Sequence, residues 1–231
     1  MRKRRILNDI DRLWQKDIAL TCLLVFLLMY IFFLYPLGQV GSFRPLTSAF
    51  FSLILISGAV AASGHRVFRT LVFSWGFLTF AFLWIKHLFP HQTFVFAADG
   101  LALFFLVLLT FFILNQVLRE GETTSHRIMG AVAAYLLIGL LWSLAYHLIA
   151  VGIPEAFSTQ GSLTSGERES LPSQLFYFSF VTLTTLGYGD IVAVHPVARM
   201  LVILEGVTGQ LFPAILIARL VSLHVQSKRK T

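Results

Sequence analysis

T-L-T-T-L-G-Y-G-D, residues Thr182 to Asp190, is the stretch from which the rest of the chain is read. Two of its residues lack a Cβ. Gly187 and Gly189 can take the positive-φ conformations that other L-residues avoid, so the carbonyls of Thr185, Leu186, Gly187 and Tyr188 can all face one way. A cation stripped of water requires such a cage of oxygens. The Thr185 hydroxyl adds another oxygen at the inner end, while Leu186 and Tyr188 point away and wedge the strand against its surroundings.

Outward from this motif, Pro172 and Ser173 follow a polar stretch as helix starters do. Leu175 to Thr184 is an apolar run too short to cross a bilayer. Asp190 closes the motif at the aqueous side, and Val197 to Val225 is long enough to span. The chain is 57% hydrophobic, which excludes a soluble core, and it contains several runs near the ~20 residues that a spanning helix needs. Spans are predicted at Ile18 to Tyr35, Leu46 to Ser63, Leu71 to Phe89, Ala97 to Leu118, Ile128 to Ile153 and Val197 to Val225. The expected fold is an all-α integral membrane protein: six transmembrane helices plus a re-entrant helix, Pro172 to Thr184, dipping in from one side.

Positive charge orients these spans. With both termini cytoplasmic, the inner side receives Arg2, Lys3, Arg4, Arg5, Arg12, Lys16, Arg66, Arg69, Arg119, Arg127, Arg219, Lys228, Arg229 and Lys230. The outer side receives Arg44, Lys86, Arg168 and Arg199, so the bias is fourteen of eighteen basic residues, as inside loops require. The same orientation puts Asp190 outside. The expectation is a multi-pass protein of the cell membrane. The net charge of +7 is then a topology signal, with the Arg2 to Arg5 cluster suited to anionic lipid; no feature supports nucleic-acid binding. The first apolar run is long and lacks a small-residue cleavage site, so it is read as a retained span. Cys22, the single cysteine, lies inside that span as a packing residue and permits no intrachain disulfide. No zinc spacing, phosphate-binding loop or nucleophile with a matched base occurs, so neither an enzyme nor a bound cofactor is expected.

The segment from Ser173 to Asp190 resembles the pore loop of tetrameric potassium channels, and the stretch from about Arg127 to the C-terminus is similar to bacterial members with one pore loop per chain. The resemblance implies a homotetramer in which four loops surround one axis, with potassium bound at the carbonyls of Thr185, Leu186, Gly187 and Tyr188. Gly189 completes the filter; Thr182, Thr184, Tyr177 and Asp190 support it. Leu186 stands where Val is more usual, but its side chain faces the packing shell. Tyr177 and Phe178 replace the paired tryptophans of many relatives, leaving the Tyr177 hydroxyl to hold Asp190. Val181 occupies a place where some relatives put a glutamate.

The chain divides into residues 1–119, a four-helix block, and 120–231, the pore domain. In voltage-gated relatives the first block is a sensor whose fourth helix carries basic residues at every third position, since moving one charge through 100 mV supplies about 2.3 kcal/mol. Ala97 to Leu118 contains Asp99 and no Lys or Arg. Packing is the role left to this block, and Gly58 with Ala62 has the small-xxx-small spacing that lets helices approach. The link Arg119 to His126 is eight residues. At about 1.5 Å per helical residue it is too short to reach a neighbouring subunit, so the block should pack beside its own pore domain. The outer connection Pro154 to Ser170 reads as a solvated loop whose Glu155, Glu167 and Glu169 are solubilising charges, and His195 reads as a turn residue before Pro196.

In the last span, Gly206 and Gly209 weaken the helix, and Pro213 removes the bond toward residue 209. These three are gate or hinge candidates. The alternative, a proline tolerated without motion, stays open. Glu205 is an acid at filter depth: protonated and hydrogen-bonded behind the short helix, or contributing field to the ion path. The function expected is passive, potassium-selective conduction. A weakly selective cation channel and a non-conducting membrane scaffold or regulatory subunit are the alternatives, and an ion-coupled transporter is disfavoured for want of an inverted repeat or a second broken helix.

Overall fold

The computed structural model describes residues 20–34, 44–61, 66–88, 91–118, 125–159 and 171–228. Helix α1 covers residues 20–29 and runs on as a π-helical turn, Tyr30–Leu34. It is followed by α2 (Arg44–Ala61), α3 (Arg66–Leu88), α4 (Gln92–Val117) and α5 (Ser125–Gly152). Strand β1 (Phe157–Thr159), helix α6 (Leu171–Leu183), strand β2 (Ile191–Ala193) and helix α7 (Pro196–Lys228) complete the order.

Apolar side chains all round a helix leave the backbone to satisfy its own polar groups, as hydrocarbon demands. Among the described residues, three helices are long and apolar enough to cross a membrane: Thr93–Val117, Arg127–Gly152 and Pro196–Arg219. Leu20–Phe32, Ala49–Gly58 and Phe73–Ile85 are shorter apolar helices that lie within the other three predicted spans. Every helix ends within a few residues of its predicted span, and most overrun it, because hydrogen-bonded helix continues past the apolar stretch into polar flanks.

One core joins the two halves of the chain. Leu23 and Leu27 of α1, Ile54 of α2, Leu106, Leu109 and Ile113 of α4, and Ala133, Ala134 and Leu137 of α5 form a single buried cluster. Helix α4 packs most extensively against α5, α5 against α6, and α3 against α4. At Gly58 the chains of α2 and α4 meet so closely that a Cβ would lie 2.5 Å from Leu109 Cδ2, which is what the small residue permits. Its expected partner Ala62 lies outside the described residues. The Trp75 indole donates to the Leu101 carbonyl at 3.3 Å, pinning α3 to α4.

The structure revises the outer connection. Its first part is a strand: β1 pairs antiparallel with β2, Phe157 opposite Ala193, Ser158 opposite Val192 and Thr159 opposite Ile191. A three-residue strand carries no readable period, and the partner is supplied from beyond the filter motif, so only the long-range pairing reveals it. Glu155 makes the turn with φ 62°, and the Ala156 carbonyl accepts from Val194 N at 2.9 Å and His195 N at 3.2 Å. Glu167, Arg168 and Glu169 lie outside the described residues, as do the N-terminal basic cluster and Arg119.

Candidate functional site

Helix α6 ends where the quoted motif begins, and the motif folds back on it. Thr184 N donates to Phe180 O (3.0 Å), Thr185 N to Thr182 O (2.9 Å), and Leu186 N and Gly187 N both to Val181 O (2.9 and 3.3 Å). The orphan carbonyls of the helix C-terminus are thus satisfied by the donors of the next four residues. The carbonyls of Thr185, Leu186, Gly187 and Tyr188 take no hydrogen bond among the described residues. Donors are spent on the helix and acceptors are left free, which is the arrangement a cation site needs.

Backbone angles then aim those acceptors. Thr185, Gly187 and Gly189 have φ of 59°, 57° and 78°, and the intervening Leu186 and Tyr188 do not have positive φ. In a strand of uniform φ, successive carbonyls point to opposite sides; alternating the sign turns successive peptide planes to the same side. The glycines supply two of the positive values at no steric cost. The third falls on Thr185, a β-branched residue in a region it disfavours, and sequence reasoning that looked only to glycine missed it. Leu186 and Tyr188 are 60% and 68% exposed.

Around this strand the predicted support residues are found as follows. Thr184 Oγ1 donates to Phe180 O at 2.6 Å, Thr182 supplies the carbonyl that receives Thr185 N, and Tyr177 is 40% exposed on α6. An aromatic cluster braces the middle of α6: Tyr146, Phe157 and Phe178 have ring centroids 5.3 to 5.7 Å apart. His195 Nδ1 accepts from Val197 N at 3.3 Å, so this residue caps the start of α7.

Behind the strand lie groups the sequence had not brought together. Glu205 is fully buried between α5 and α6. Its carboxyl meets the Tyr146 hydroxyl at Oε2 and Ser179 Oγ at 2.5 Å from Oε1, while Ser179 Oγ also lies 2.8 Å from the Gly139 carbonyl oxygen. Gly139 itself lets α6 approach, since a Cβ there would stand 2.7 Å from the Phe180 ring. One residue along from Tyr146, His147 Nδ1 is 2.7 Å from the Asp99 carboxylate, joining α5 to α4. Tyr146, His147 and Ser179 are polar residues inside apolar runs, and that mismatch is the sequence signal for their roles.

The three hinge candidates differ in surroundings. Helix α7 is α-helical through Gly206, Gly209 and Pro213. A Cβ at Gly206 would meet nothing within 4 Å, whereas one at Gly209 would lie 1.9 Å from the Leu183 carbonyl oxygen. That carbonyl, the last of α6, also accepts from the Tyr135 hydroxyl at 3.2 Å, and Tyr135 stacks on Phe212 with centroids 5.9 Å apart. Gly209 is therefore a place where the last helix touches the end of α6, two residues before Thr185, a close approach that its reading as a weak spot had not included.

Comparison with known proteins places this half of the chain. A protein-family model described as "Ion channel" matches residues 134–226. The chain is 31% identical over 87 residues to Protein LctB of Bacillus caldotenax, covering 38% of this chain and 64% of that protein. It is 29% identical over 80 residues to Protein LctB of Geobacillus stearothermophilus, covering 35% and 59%. The chain thus spans less than two thirds of the length of these curated relatives. No solved structure matches it. The matched region runs from within α5 through the T-L-G-Y-G strand into the last turn of α7, so this part of a multi-pass membrane chain is similar to ion channels.

Proposed function

We propose that the protein is a potassium-selective channel that conducts passively as a homotetramer, with six spans per subunit and both termini cytoplasmic. The observation that carries this reading is the alternation of φ sign from Thr185 to Gly189 on a strand whose carbonyls at Thr185, Leu186, Gly187 and Tyr188 take no hydrogen bond among the described residues. Four such strands about one axis place rings of carbonyl oxygen from Thr185, Leu186, Gly187 and Tyr188 where a potassium ion sheds its hydration shell. The Thr185 hydroxyl forms the innermost ring. Tyr177 holds Asp190 at the outer mouth, and Thr182 and Thr184 secure the inner end.

Exposure within the single chain supports assembly. Only 11% of the most apolar stretch of Pro196–Arg219 is buried, against 44% for Thr93–Val117 and 50% for Arg127–Gly152. Met200, Ile203, Val207 and Leu211 of α7, with Leu186 and Tyr188, lie exposed; three further copies cover this face or line a shared pore with it. Residues 1–119 act as a packing block, joined to the pore domain of residues 120–231 through the common α4–α5 core. Gly206, Gly209 and Pro213 remain the hinge region of the inner helix.

The test is bilayer recording of the purified protein under potassium and sodium gradients, with Gly187→Ala as comparison. A Cβ at φ +57° strains the strand, so the variant should assemble but lose selective potassium current. Wild-type permeability ratios in Gly187→Ala would sink the carbonyl-cage reading. A wild-type reversal potential insensitive to the potassium gradient would favour a weakly selective pore.

A further inference from the structure

Within the channel reading above, we propose that Glu205 is held as the protonated acid and acts as a positioning residue, its single proton fastening the pore helix to the outer and inner helices behind the filter.

Counting protons leads to this assignment. Gly139 O, Ser179 Oγ and Glu205 Oε1 form a row separated by 2.8 and 2.5 Å. Two hydrogen-bond distances between three oxygens require two protons. The Ser179 hydroxyl has one, and the Gly139 carbonyl has none. The second must sit on Glu205, which donates to Ser179 Oγ while Ser179 donates onward to Gly139 O. The other carboxyl oxygen accepts from the Tyr146 hydroxyl. An ionised Glu205 leaves one of the two close contacts without a proton.

Burial agrees with the count. Glu205 and Ser179 are both fully buried, and among the described residues the acid is partnered by two hydroxyls and no cation. An unpaired carboxylate in such a site is strongly disfavoured. The titratable groups that face it are Tyr146 and Tyr135 of α5. Helix α6 contributes Ser179, its own Tyr177 being exposed, and β2, Ile191–Ala193, contributes no titratable residue. The neighbouring Arg199 is exposed and bonded to Ala193 O at 3.1 Å.

The relay joins α5 at Gly139 and Tyr146, α6 at Ser179, and α7 at Glu205. Ser179 lies six residues before Thr185 on the helix that sets the filter's height. Removing the proton at alkaline pH turns the Ser179 hydroxyl onto the carboxylate and leaves Gly139 O without its donor, so the hold of the pore helix on α5 loosens and the filter loses its fixed register. This makes conduction sensitive to alkaline pH through a residue that never touches the ion.

Infrared difference spectroscopy of the purified wild-type protein, titrated with base and set against Glu205→Gln, tests the protonation whether or not the protein conducts. A protonated-carboxyl band present at neutral pH, lost on titration and absent from Glu205→Gln, is expected. Its absence from the wild type at neutral pH overturns the proposal. Should Glu205→Gln not assemble, Ser179→Ala takes its place, and the band must then shift; an unshifted band overturns the assignment to this relay. In bilayers, Glu205→Gln keeps a neutral donor and acceptor and is expected to conduct selectively at neutral pH without the alkaline loss. Glu205→Ala abandons Ser179 and Tyr146 and should lower potassium-over-sodium permeability about tenfold. An alkaline profile in Glu205→Gln identical to the wild type overturns the positioning role. Failure of the channel reading shows separately, as a wild type with the infrared band and no potassium current.

Discussion

Gly209→Ala provides the sharpest test of how the inner helix meets the filter. The added Cβ would lie 1.9 Å from Leu183 O, 2.7 Å from its carbonyl carbon and 3.0 Å from its Cα. All three atoms are backbone at the end of α6, so no rotamer change relieves the collision. Carbon and carbonyl oxygen settle no closer than about 3.3 Å, so α7 must retreat from α6 by roughly 1.4 Å, starting from the 1.9 Å contact. Overpacking of this kind costs about 1–3 kcal/mol, with the upper end fitting a rigid partner, while replacing helical Gly by Ala returns about 1 kcal/mol. The net loss is about 2 kcal/mol per subunit, up to a ~30-fold change in the folded population. Because Leu183 O is also the acceptor of the Tyr135 hydroxyl and lies two residues before Thr185, the displacement should reach the filter base. Thermal unfolding in detergent should fall, and potassium-over-sodium permeability in bilayers should drop with it. Gly206→Ala is the comparison: its Cβ meets nothing within 4 Å among the described residues, so it should gain up to ~1 kcal/mol of helix propensity and keep the potassium-over-sodium permeability ratio. If the two variants behave alike, in stability and selectivity, the contact between α7 and α6 is not the reason for glycine at 209.

Three further outcomes are expected. With no Lys or Arg from Gln92 to Val117, the first block should move little gating charge, and a large transient current measured with the pore blocked would contradict this. Asp99, 3% exposed, bonds His147 across the α4–α5 seam; Asp99→Leu should destabilise the protein by about 1–3 kcal/mol, and a double-mutant cycle with His147→Ala should show coupling above about 0.5 kcal/mol, strict additivity counting against the pair. Cysteines introduced at Val117 and Gly130, whose close approach puts a Cβ of the latter 3.0 Å from Val117 Cγ2, should crosslink within one subunit; products found only between subunits would show that the first block packs on a neighbour.

The backbone form of the candidate site was legible from the chain because its chemistry is local. A Gly-x-Gly spacing after a short apolar run specifies where positive φ is affordable, and the ends of α6 and α7 follow from Pro172, Pro196 and the length of apolar sequence between polar flanks. The membrane class came from composition, and the site's position relative to the two flanking spans came from their order. What sequence could not supply were the meetings between residues distant along the chain. Glu205 reads as an anomaly in a span; its contacts with Tyr146 and Ser179, 59 and 26 residues away, turn it into a node. Asp99 reads as a stray charge near a helix end until His147 stands beside it. Gly209 reads as a weak point in a helix, and only the packing of α7 on α6 shows a glycine chosen for closeness. Even the positive φ of Thr185 is imposed by donors returning to α6 rather than by its own preference, since a β-branched residue in isolation avoids that region. Local backbone preference and hydropathy are written residue by residue, whereas proton sharing and backbone contact exist only once the helices are packed.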